Sequence, residues 1–518
     1  MVHLQLLPTE LLDRIFSFIA EHDTLDRGED DTSSQELYNL CLVSQKFRDL
    51  AQPLLFRNYD DAEFLDPVAQ LISFTKAIIL RPELGQYVRT ASIDIIEVFP
   101  EFPTDLDLLR RAVRELQLAE DAANTWVKAL ELFDPCALLT LLLVKTPNLR
   151  ALRISQLPRL HDSLGLVRKQ DPSFLSNLDQ LWITCDDDET VGYDIGAYHE
   201  LLGSPKMLAP TFEVGDLVGG RFPASWKQGS LAAQELAFNH CHIDAAAIQK
   251  LLQACKRIKS FTYQNFEVDP LGFRHGSIFN TDEFTAEEIH AALLPHKDTL
   301  EHFHLEYARD PMAISSPQAY QEFCVSCAKI PSFEDFPLLE TIFIQHSLLP
   351  PHPRFSPHLQ RLDITDCNSS IRELIAHIAK DFKAGLYPRL TEIKVLASDI
   401  TKPIKLPGQI VPHGQTPEQC FLSLQKHFKG TQVDFQILPY EMSDLDAGSL
   451  YGDDDDPELH LHDGPFEFQG LGQGAPNRQD LLAQLMMMAA NDPDLGPLLR
   501  GEDDGGGESD RSWETDEE

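Results

Sequence analysis

The stretch LQRLDITDCNSSIRELIAHIAKDFKAGLYPRLTEIKV, residues 359–395, indicates the architecture of most of the chain. It opens with a short segment in which apolar and polar residues alternate, which is the period of a β-strand. A helical segment follows, with Ser370 as a candidate N-cap, Glu373 completing a capping box and Gly385 suited to the C-terminal cap. The stretch ends on a second copy of the opening segment, so we expect strand, helix and strand.

The opening segment has the form apolar-x-x-apolar-x-apolar, and this kernel recurs at irregular intervals of roughly 20 to 55 residues. Helical patterns lie between several copies, and alternation of helices with parallel strands predicts an α/β fold in a repeat array. Two copies extend to Cys241 and Cys367 and so match the Leu-x-x-Leu-x-Leu-x-x-Asn/Cys form of leucine-rich repeats. The clear copies start at Leu149, Leu178, Ile258, Leu300, Leu339, Leu359 and Leu390, and weaker copies occupy residues 91–96 and 235–240.

Charge is concentrated at the carboxyl end of the 518 residues. The formal net charge is −39, and residues 441–518 contain 22 Asp and Glu against 3 Arg. Low hydrophobicity with high charge predicts a disordered acidic tail over residues 440–518. The overall charge argues against binding to nucleic acid or to an anionic membrane surface, because both require clustered Lys and Arg.

The remaining composition favours a soluble protein of a reducing compartment. Nine cysteines are scattered, without the density of a disulfide framework. The amino terminus lacks the pattern of a signal peptide, and the apolar run at residues 137–144 is too short to span a bilayer. We therefore expect a cytoplasmic or nuclear location, or both.

No pattern in the sequence indicates an active site, a metal site or a cofactor. Cys324 and Cys327 form a lone pair without the further ligands that zinc requires, and the run 240–242 (HCH) is too tight to chelate one metal. The segment VGDLVGG lacks the Lys-Ser/Thr of a phosphate-binding loop, and no G-x-S-x-G elbow is present. The sequence thus predicts a non-catalytic protein with no cofactor.

The first sixty residues predict short amphipathic helices. Pro8 suits the first turn of a helix, and the residues after it place several apolar side chains on one face. The segment 21–35 is polar and predicts a loop, and a second helical piece over residues 36–56 is limited by Pro53. Three short helices cannot hide this much apolar surface among themselves, so part of it needs another cover.

This region resembles an F-box. The match runs through the residue pattern Leu7-Pro8-x-Glu10-Leu11-Leu12-x-x-Ile15-Phe16, then residues 40–51 (LCLVSQKFRDLA) and 53–56 (PLLF). With the repeats behind it, the chain resembles the F-box/leucine-rich-repeat proteins, particularly divergent fungal forms. Two departures are the long acidic connection between the first two helices and Phe47, which stands where many members have Trp.

The resemblance implies a substrate-recognition adaptor of a Skp–cullin–F-box ubiquitin ligase. Three domains follow: an F-box at residues 1–60, a leucine-rich-repeat-like solenoid at 61–439 and the disordered tail at 440–518. The F-box would bind the Skp-type adaptor and, through it, a cullin, while the catalytic chemistry would belong to other subunits. The residues carried over by position as Skp-adaptor contacts are Leu7, Pro8, Leu11, Ile15, Leu40, Val43 and Phe47.

Two other interpretations remain open at this stage. The helical region could only pack on the repeats as an end cap, since the first repeat of a solenoid needs a cover. The chain could also be an interaction scaffold that binds a Skp-type partner without a role in ubiquitination.

A client protein, whose identity the sequence does not reveal, would bind the outward side of the strands. Residues beside the last kernel apolars point away from the core by strand alternation, and large aromatics near Arg are typical binding anchors. The candidate client-binding residues are Arg153, Trp182, His304, Phe343 and Arg361.

Overall fold

The computed structural model describes residues 7–22, 32–60, 67–93, 106–132, 134–155, 157, 160–185, 192–217, 219, 222–264, 284–307, 327–367, 371–397, 419 and 422–439. These residues belong to two compact units, divided between Arg57 and Asn58. We call residues 7–57 the three-helix unit and residues 58–439 the α/β unit. The predicted disordered tail, residues 440–518, lies outside the described residues, as do Ser370 and Cys324.

The three-helix unit consists of α1 (Thr9–His22), α2 (Thr32–Val43) and α3 (Gln45–Leu55). One side of each helix is apolar, and the three sides meet in a small core. Phe16 and Phe47 pack edge to face at its centre, with ring centroids 5.4 Å apart. The buried side chains of this core are Leu12, Phe16, Leu37, Cys41, Phe47 and Ala51.

Two details of these helices differ from the sequence prediction. The single helical piece expected over residues 36–56 is divided at Ser44, whose extended backbone and side chain cap α3 by accepting a hydrogen bond from the Phe47 amide. α2 also starts earlier than expected, at Thr32, and α3 continues through Pro53 to Leu55. Proline is accommodated because Pro53 lies in the last turn of the helix, where only its own amide hydrogen bond is lost.

The α/β unit is built on a large parallel sheet, which confirms the predicted α/β class. Within the described residues, twelve strands form this sheet in chain order, and three short strands form a second parallel sheet beside it. The large sheet contains β1 (Asn58–Asp60), β2 (Thr90–Ile93), β3 (Ala151–Ser155), β4 (Gln180–Thr184), β6 (Ala209–Glu213), β8 (Glu235–Asn239), β10 (Ser260–Gln264), β11 (His302–Glu306), β12 (Thr341–Gln345), β13 (Arg361–Thr365), β14 (Glu392–Ala397) and β15 (Asp434–Pro439). The small sheet contains β5 (Tyr193–Asp194), β7 (Gly215–Leu217) and β9 (His242–Ile243).

Helices connect many of these strands. The prediction of a helix between β13 and β14 is confirmed, and Gly385 follows that helix with the positive φ of +80° that its C-terminal cap requires. The helices are α4 (Pro67–Leu80), α5 (Pro82–Gly85), α6 (Leu106–Arg114), α7 (Glu120–Glu131), α8 (Pro135–Lys145), α9 (Leu160–Gln170), α10 (His199–Leu202), α11 (Ala245–Ala254), α12 (Ala286–Leu293), α13 (Ile371–Lys383) and α14 (Gln425–Phe428).

The kernels become strands because their alternating apolar side chains all enter one core. Every kernel copy predicted from the sequence overlaps a strand of the large sheet. In-register pairing then stacks like positions, as in β12 and β13, where Ile342 lies beside Leu362 and Ile344 beside Ile364. All four side chains are completely buried. The opposite face of the strands, which we call the outward face, carries the polar residues.

A continuous backbone ladder joins the turns that precede the strands. The amide of the residue before each strand donates to the carbonyl of the equivalent residue one strand earlier, for example Asp179 to Arg150 at 2.8 Å and Glu340 to Glu301 at 2.8 Å. The same link recurs from Arg150, bonded to Arg89, through Thr391, bonded to Gln360. Each of these strands is therefore hydrogen-bonded to the preceding strand already at the residue that comes just before its first paired residue.

Cys241 occupies the turn that leaves β8, as its place in the kernel predicts. Its sulfur lies 3.3 Å from the Gly215 amide nitrogen, which donates to it, and 3.4 Å from the Phe212 carbonyl oxygen, to which the thiol donates. Burial raises the pKa of this thiol to about 12. The side chain thus satisfies backbone groups of neighbouring strands as a protonated thiol.

The stability of the α/β unit is expected to depend on His346, in the turn after β12. Burial of the imidazole, reinforced by the positive charge of Lys329, lowers the pKa of His346 to about 4. In the unfolded chain, where a His pKa is near 6.5, the imidazole binds a proton when the pH falls to about 5.5. In the folded chain the imidazole stays neutral at that pH. Lowering the pH from about 7.5 to about 5.5 should therefore reduce the free energy of unfolding by about 1 kcal/mol through this residue.

Chemical denaturation of the wild type and of His346→Gln at both pH values measures this contribution. The variant should lose less stability than the wild type on acidification, by that same difference. Equal losses in the two proteins would show that His346 is not responsible.

Candidate interaction surfaces

An exposed apolar strip runs along α1 of the three-helix unit. It consists of Pro8, Leu11, Ile15 and Phe18, whose three- and four-residue spacing places them on one side of the helix. Leu11 is 47% exposed, Ile15 39% and Phe18 64%. Soluble proteins rarely leave contiguous large apolar side chains open, and where they do the surface commonly binds a partner.

The buried side of α1 explains why the strip remains outside. The helix has apolar residues over more than half of its circumference, and Leu12 and Phe16 fill the core of the three-helix unit. Leu11 and Ile15 lie about 60 to 140° away around the helix axis, because successive residues are separated by about 100°. The apolar face expected from the sequence is thus divided into a core half and an exposed half.

The end of α2 extends this apolar surface. Leu42 is 46% and Val43 55% exposed. The Lys46 ammonium donates to the Leu7 carbonyl at 3.0 Å, which fixes the α2–α3 junction beside the start of α1. Val43 and Pro8 therefore belong to the same region of the surface.

The seven residues predicted as Skp-adaptor contacts fall into three groups. Pro8, Leu11, Ile15 and Val43 are exposed, and Leu7 and Leu40 are half-buried against the core. Phe47 is only 2% exposed, because its ring fills the core against Phe16. Its position makes it a support for the surface and not part of it.

Two exposed residues were missed by the sequence analysis. Phe18 lies three residues after Ile15 and seven after Leu11, so its helical spacing could have placed it in the strip. Leu42 was passed over in favour of Val43, and only the last turn of α2 shows that both are exposed.

Cys41 gives the core beneath this surface a buried thiol. Burial raises its pKa to about 11, although Arg48 lies near it. Arg48 donates to the Cys41 carbonyl at 3.2 Å and so ties α2 to α3. The thiol remains protonated at neutral pH and acts as a small apolar side chain.

Four of the five candidate client-binding residues lie in one row on the outward face of the sheet, whereas Arg361 is in register with Thr341, two residues before Phe343. Arg153 pairs with Trp182 across β3 and β4, and His304 pairs with Phe343 across β11 and β12. The Arg153 guanidinium lies 4.9 Å from the Trp182 ring centroid, and the His304 and Phe343 rings lie 4.1 Å apart. Four strand spacings separate Trp182 from His304, or about 19 Å, so the structure brings these residues together as two separate pairs.

Trp182 is the most open of these aromatic side chains, at 40% exposed. Its indole nitrogen is 3.4 Å from the Glu213 carboxylate of the next strand, while Arg153 covers its ring face. A flat aromatic ring held between a cation and an anion is preorganised for contact with a partner.

Arg361 is less available than its sequence position suggested. Its guanidinium makes a bidentate pair with Asp363, a residue that is 1% exposed, and lies 3.3 Å from Glu392. Hydrogen bonding to Asp363 raises the pKa of Arg361 further. Arg361 therefore has a structural role of neutralising a buried carboxylate, which a client would have to share.

His304 is also held from one side. Its Nε2 lies 3.0 Å from the carboxylate of Glu306, whose side chain is 1% exposed. Gln264 donates to that same carboxylate at 3.3 Å. The arrangement fixes the imidazole beside the Phe343 ring, and both side chains are half-buried.

Within the described ranges, no group of three or more His, Cys, Asp or Glu side chains is placed to hold a metal ion. Among the same residues, no helix has both the length and the apolar character needed to cross a membrane. Comparison with family models and with curated proteins gives no match.

Proposed function

We propose that this chain is the substrate-recognition adaptor of a Skp–cullin–F-box ubiquitin ligase. In this proposal the three-helix unit is a divergent F-box, and the α/β unit is an irregular leucine-rich-repeat-like solenoid. The first binds the Skp-type adaptor, and the second holds a client protein within reach of the catalytic subunits. The chain then acts by positioning a client lysine, without an active site of its own.

The observation that carries the proposal is the exposed apolar strip of α1. It coincides with the residues where the sequence resembles an F-box, and it lies on a small unit separate from the sheet. The strip and the end of α2 offer aliphatic and aromatic anchors of the kind that dominate protein interfaces. Pro8, Leu11, Ile15, Phe18 and Val43 are the proposed contacts, with Phe47 supporting them from the core.

The outward face of the sheet supports the second half of the proposal. It carries an exposed pair, Arg153 with Trp182, and a half-buried pair, His304 with Phe343, which combine aromatic area with charged or titratable groups. A row of in-register side chains on parallel strands also provides an extended surface, which suits a protein segment better than a small molecule.

Capture of the Skp-type adaptor tests the proposal. Ile15→Asp should reduce co-purification of that adaptor at least about 30-fold, the effect of losing a hot spot of about 2 kcal/mol. The exposed residue Asp13, on the opposite side of α1, provides the matched control, and Asp13→Lys should leave capture unchanged. Both variants should unfold at the wild-type denaturant midpoint, since neither residue is buried.

The proteins that co-purify with the wild-type chain distinguish a ligase adaptor from a scaffold. A cullin in the wild-type complex, and a client that accumulates when cullin neddylation is blocked, would support the ligase. A Skp-type protein without a cullin would instead support the scaffold, and wild-type capture equal to that of Ile15→Asp would overturn the F-box assignment.

A further inference from the structure

Three neighbouring turns of the α/β unit concentrate positive charge in an acidic protein. They precede β6, β8 and β10, which are adjacent in the sheet. Residues 203–208, 222–234 and 255–259 contain five Lys and Arg and no Asp or Glu, whereas the whole chain carries a net charge of −39. The four that we call the basic corner are Lys206, Lys227, Lys256 and Arg257, all with exposed side chains.

Backbone hydrogen bonds fix these turns against one another. The Lys256 amide donates to the Leu231 carbonyl at 3.1 Å, and the Leu231 amide donates to the Ala254 carbonyl at 2.8 Å. The Gln234 amide donates to the Leu208 carbonyl at 2.9 Å, which joins the turn of Lys206 to the other two. The corner is thus a rigid part of the fold, and its charges cannot separate freely.

The corner lacks neutralising partners in the part of the chain that the structure describes. Lys227, Lys256 and Arg257 have no carboxylate oxygen within 4.0 Å there, and the Lys206 ammonium donates only to the neutral Asn177 side chain, at 2.7 Å. Lys259, the fifth cation, differs because it pairs with Glu301 at 2.9 Å.

Favourable interaction with helix dipoles accounts for the positions of only some of these cations. Lys256 and Arg257 follow the end of α11, where about half a unit of negative charge attracts cations. Lys227, however, follows no described helix, and Lys206 follows only the four-residue α10. Like charges held side by side repel, so this arrangement favours an anionic occupant.

We propose that the basic corner binds the acidic segment of this same chain at residues 441–463. That segment contains nine Asp and Glu, including the run Asp453–Asp456, and no Lys or Arg. An acidic partner from outside would be repelled by the net charge of the protein. A tethered segment is already present at an effective concentration in the millimolar range.

The length of chain after β15 is sufficient for this contact. Asp453 is the fourteenth residue after Pro439, which gives a reach of up to about 48 Å at about 3.4 Å per residue. β15 lies five strands from β10 in the sheet order, about 24 Å at the usual strand spacing. Returning from the carboxyl to the amino ends of the strands adds about 20 Å, so Asp453 can reach Lys256.

Zero-length carbodiimide cross-linking of the full-length protein, followed by peptide mapping, tests the proposal. At low ionic strength we expect links from Lys206, Lys227 and Lys256 to carboxylates of residues 441–463. Arg257→Gln removes a charge that cannot itself be cross-linked, and it should lower the yield of these links by about threefold. Lys128→Gln, at an exposed position on α7, is the matched control and should not change the yield.

Cross-linking at high salt and cross-linking of isotope-labelled mixtures distinguish the possible occupants of the basic corner. Raising the ionic strength to about 0.5 M shortens the screening length to about 4 Å and should abolish the links. In a mixture of ¹⁴N- and ¹⁵N-labelled protein, links confined to single copies support the proposal, and links between copies would overturn it. Carboxylates of 441–463 linked elsewhere but not to the corner would also overturn it.

An added acidic peptide gives an independent reading. A synthetic peptide of residues 441–463 should bind the wild-type full chain weakly. It should bind at least about tenfold more tightly to a full-length variant in which Asp453–Asp456 are replaced by Asn, because the corner of that variant is vacant. Equal affinity for both proteins would show that the corner is open to outside partners, contrary to the proposal. None of these measurements involves the Skp-type adaptor, so they are independent of the proposed function.

Discussion

Replacing Phe238 by alanine is expected to lower the free energy of unfolding of the α/β unit by about 3–5 kcal/mol. The ring is completely buried and belongs to a row of phenylalanines on successive strands. It stacks on Phe212 with centroids 5.5 Å apart and lies 6.3 Å from Phe261, which in turn lies 6.2 Å from Phe303. Truncation leaves a cavity between rings that the backbone ladder holds at fixed spacing, so the strands cannot close over it.

Urea denaturation followed by tyrosine and tryptophan fluorescence measures this loss. Ala237, the preceding residue of the same strand, faces outward, and Ala237→Ser should change the free energy of unfolding by no more than about 0.5 kcal/mol. A loss below about 1 kcal/mol for Phe238→Ala would mean that the aromatic row is not a principal source of stability.

Replacing Phe16 by alanine is expected to unfold the three-helix unit. Phe16 is 1% exposed and forms the centre of a small core, in which six of the described side chains are buried. The expected loss of about 3–5 kcal/mol is comparable with the whole stability of a small domain. Amide hydrogen exchange in α1, α2 and α3 should therefore approach the unprotected rate, while exchange in the large sheet stays as in the wild type.

Phe18→Ala is the matched change on the exposed side of the same helix. Because Phe18 is 64% exposed, hydrogen exchange in the three helices should be preserved. Under the proposed function this variant loses capture of the Skp-type adaptor although it remains folded. Preserved protection in Phe16→Ala would contradict the assignment of Phe16 to an essential core.

The sequence predicted the large sheet well wherever the kernel was intact. It missed β6 because Pro210 lies in the strand, and proline is unusual in the interior of a sheet. It missed β15, where Phe435 and Ile437 alternate with polar residues but no kernel leads into them. The small sheet could not be predicted, because strands of two or three residues have no detectable period.

The surfaces were harder to predict than the strands, because sequence period shows which residues are apolar but not which of them is covered. Leu11 and Leu12 are equivalent in the sequence pattern, yet one is exposed and the other buried by α2 and α3. The ion pair of Arg361 with Asp363 likewise depends on two residues of one strand leaning toward each other. Which residue is exposed and which side chains pair depend on packing between helices and strands, and local sequence patterns do not show that packing.

The strictly sequential order of the twelve strands has a mechanical consequence. A force that draws the first and last strands apart acts along the interstrand hydrogen bonds and loads each strand boundary in series. In the large sheet each strand pairs only with its immediate neighbours, so rupture of the pairing at one boundary does not require rupture at the next. The α/β unit should therefore extend under tension in successive steps of one strand and its connection, with a sawtooth force profile instead of a single break.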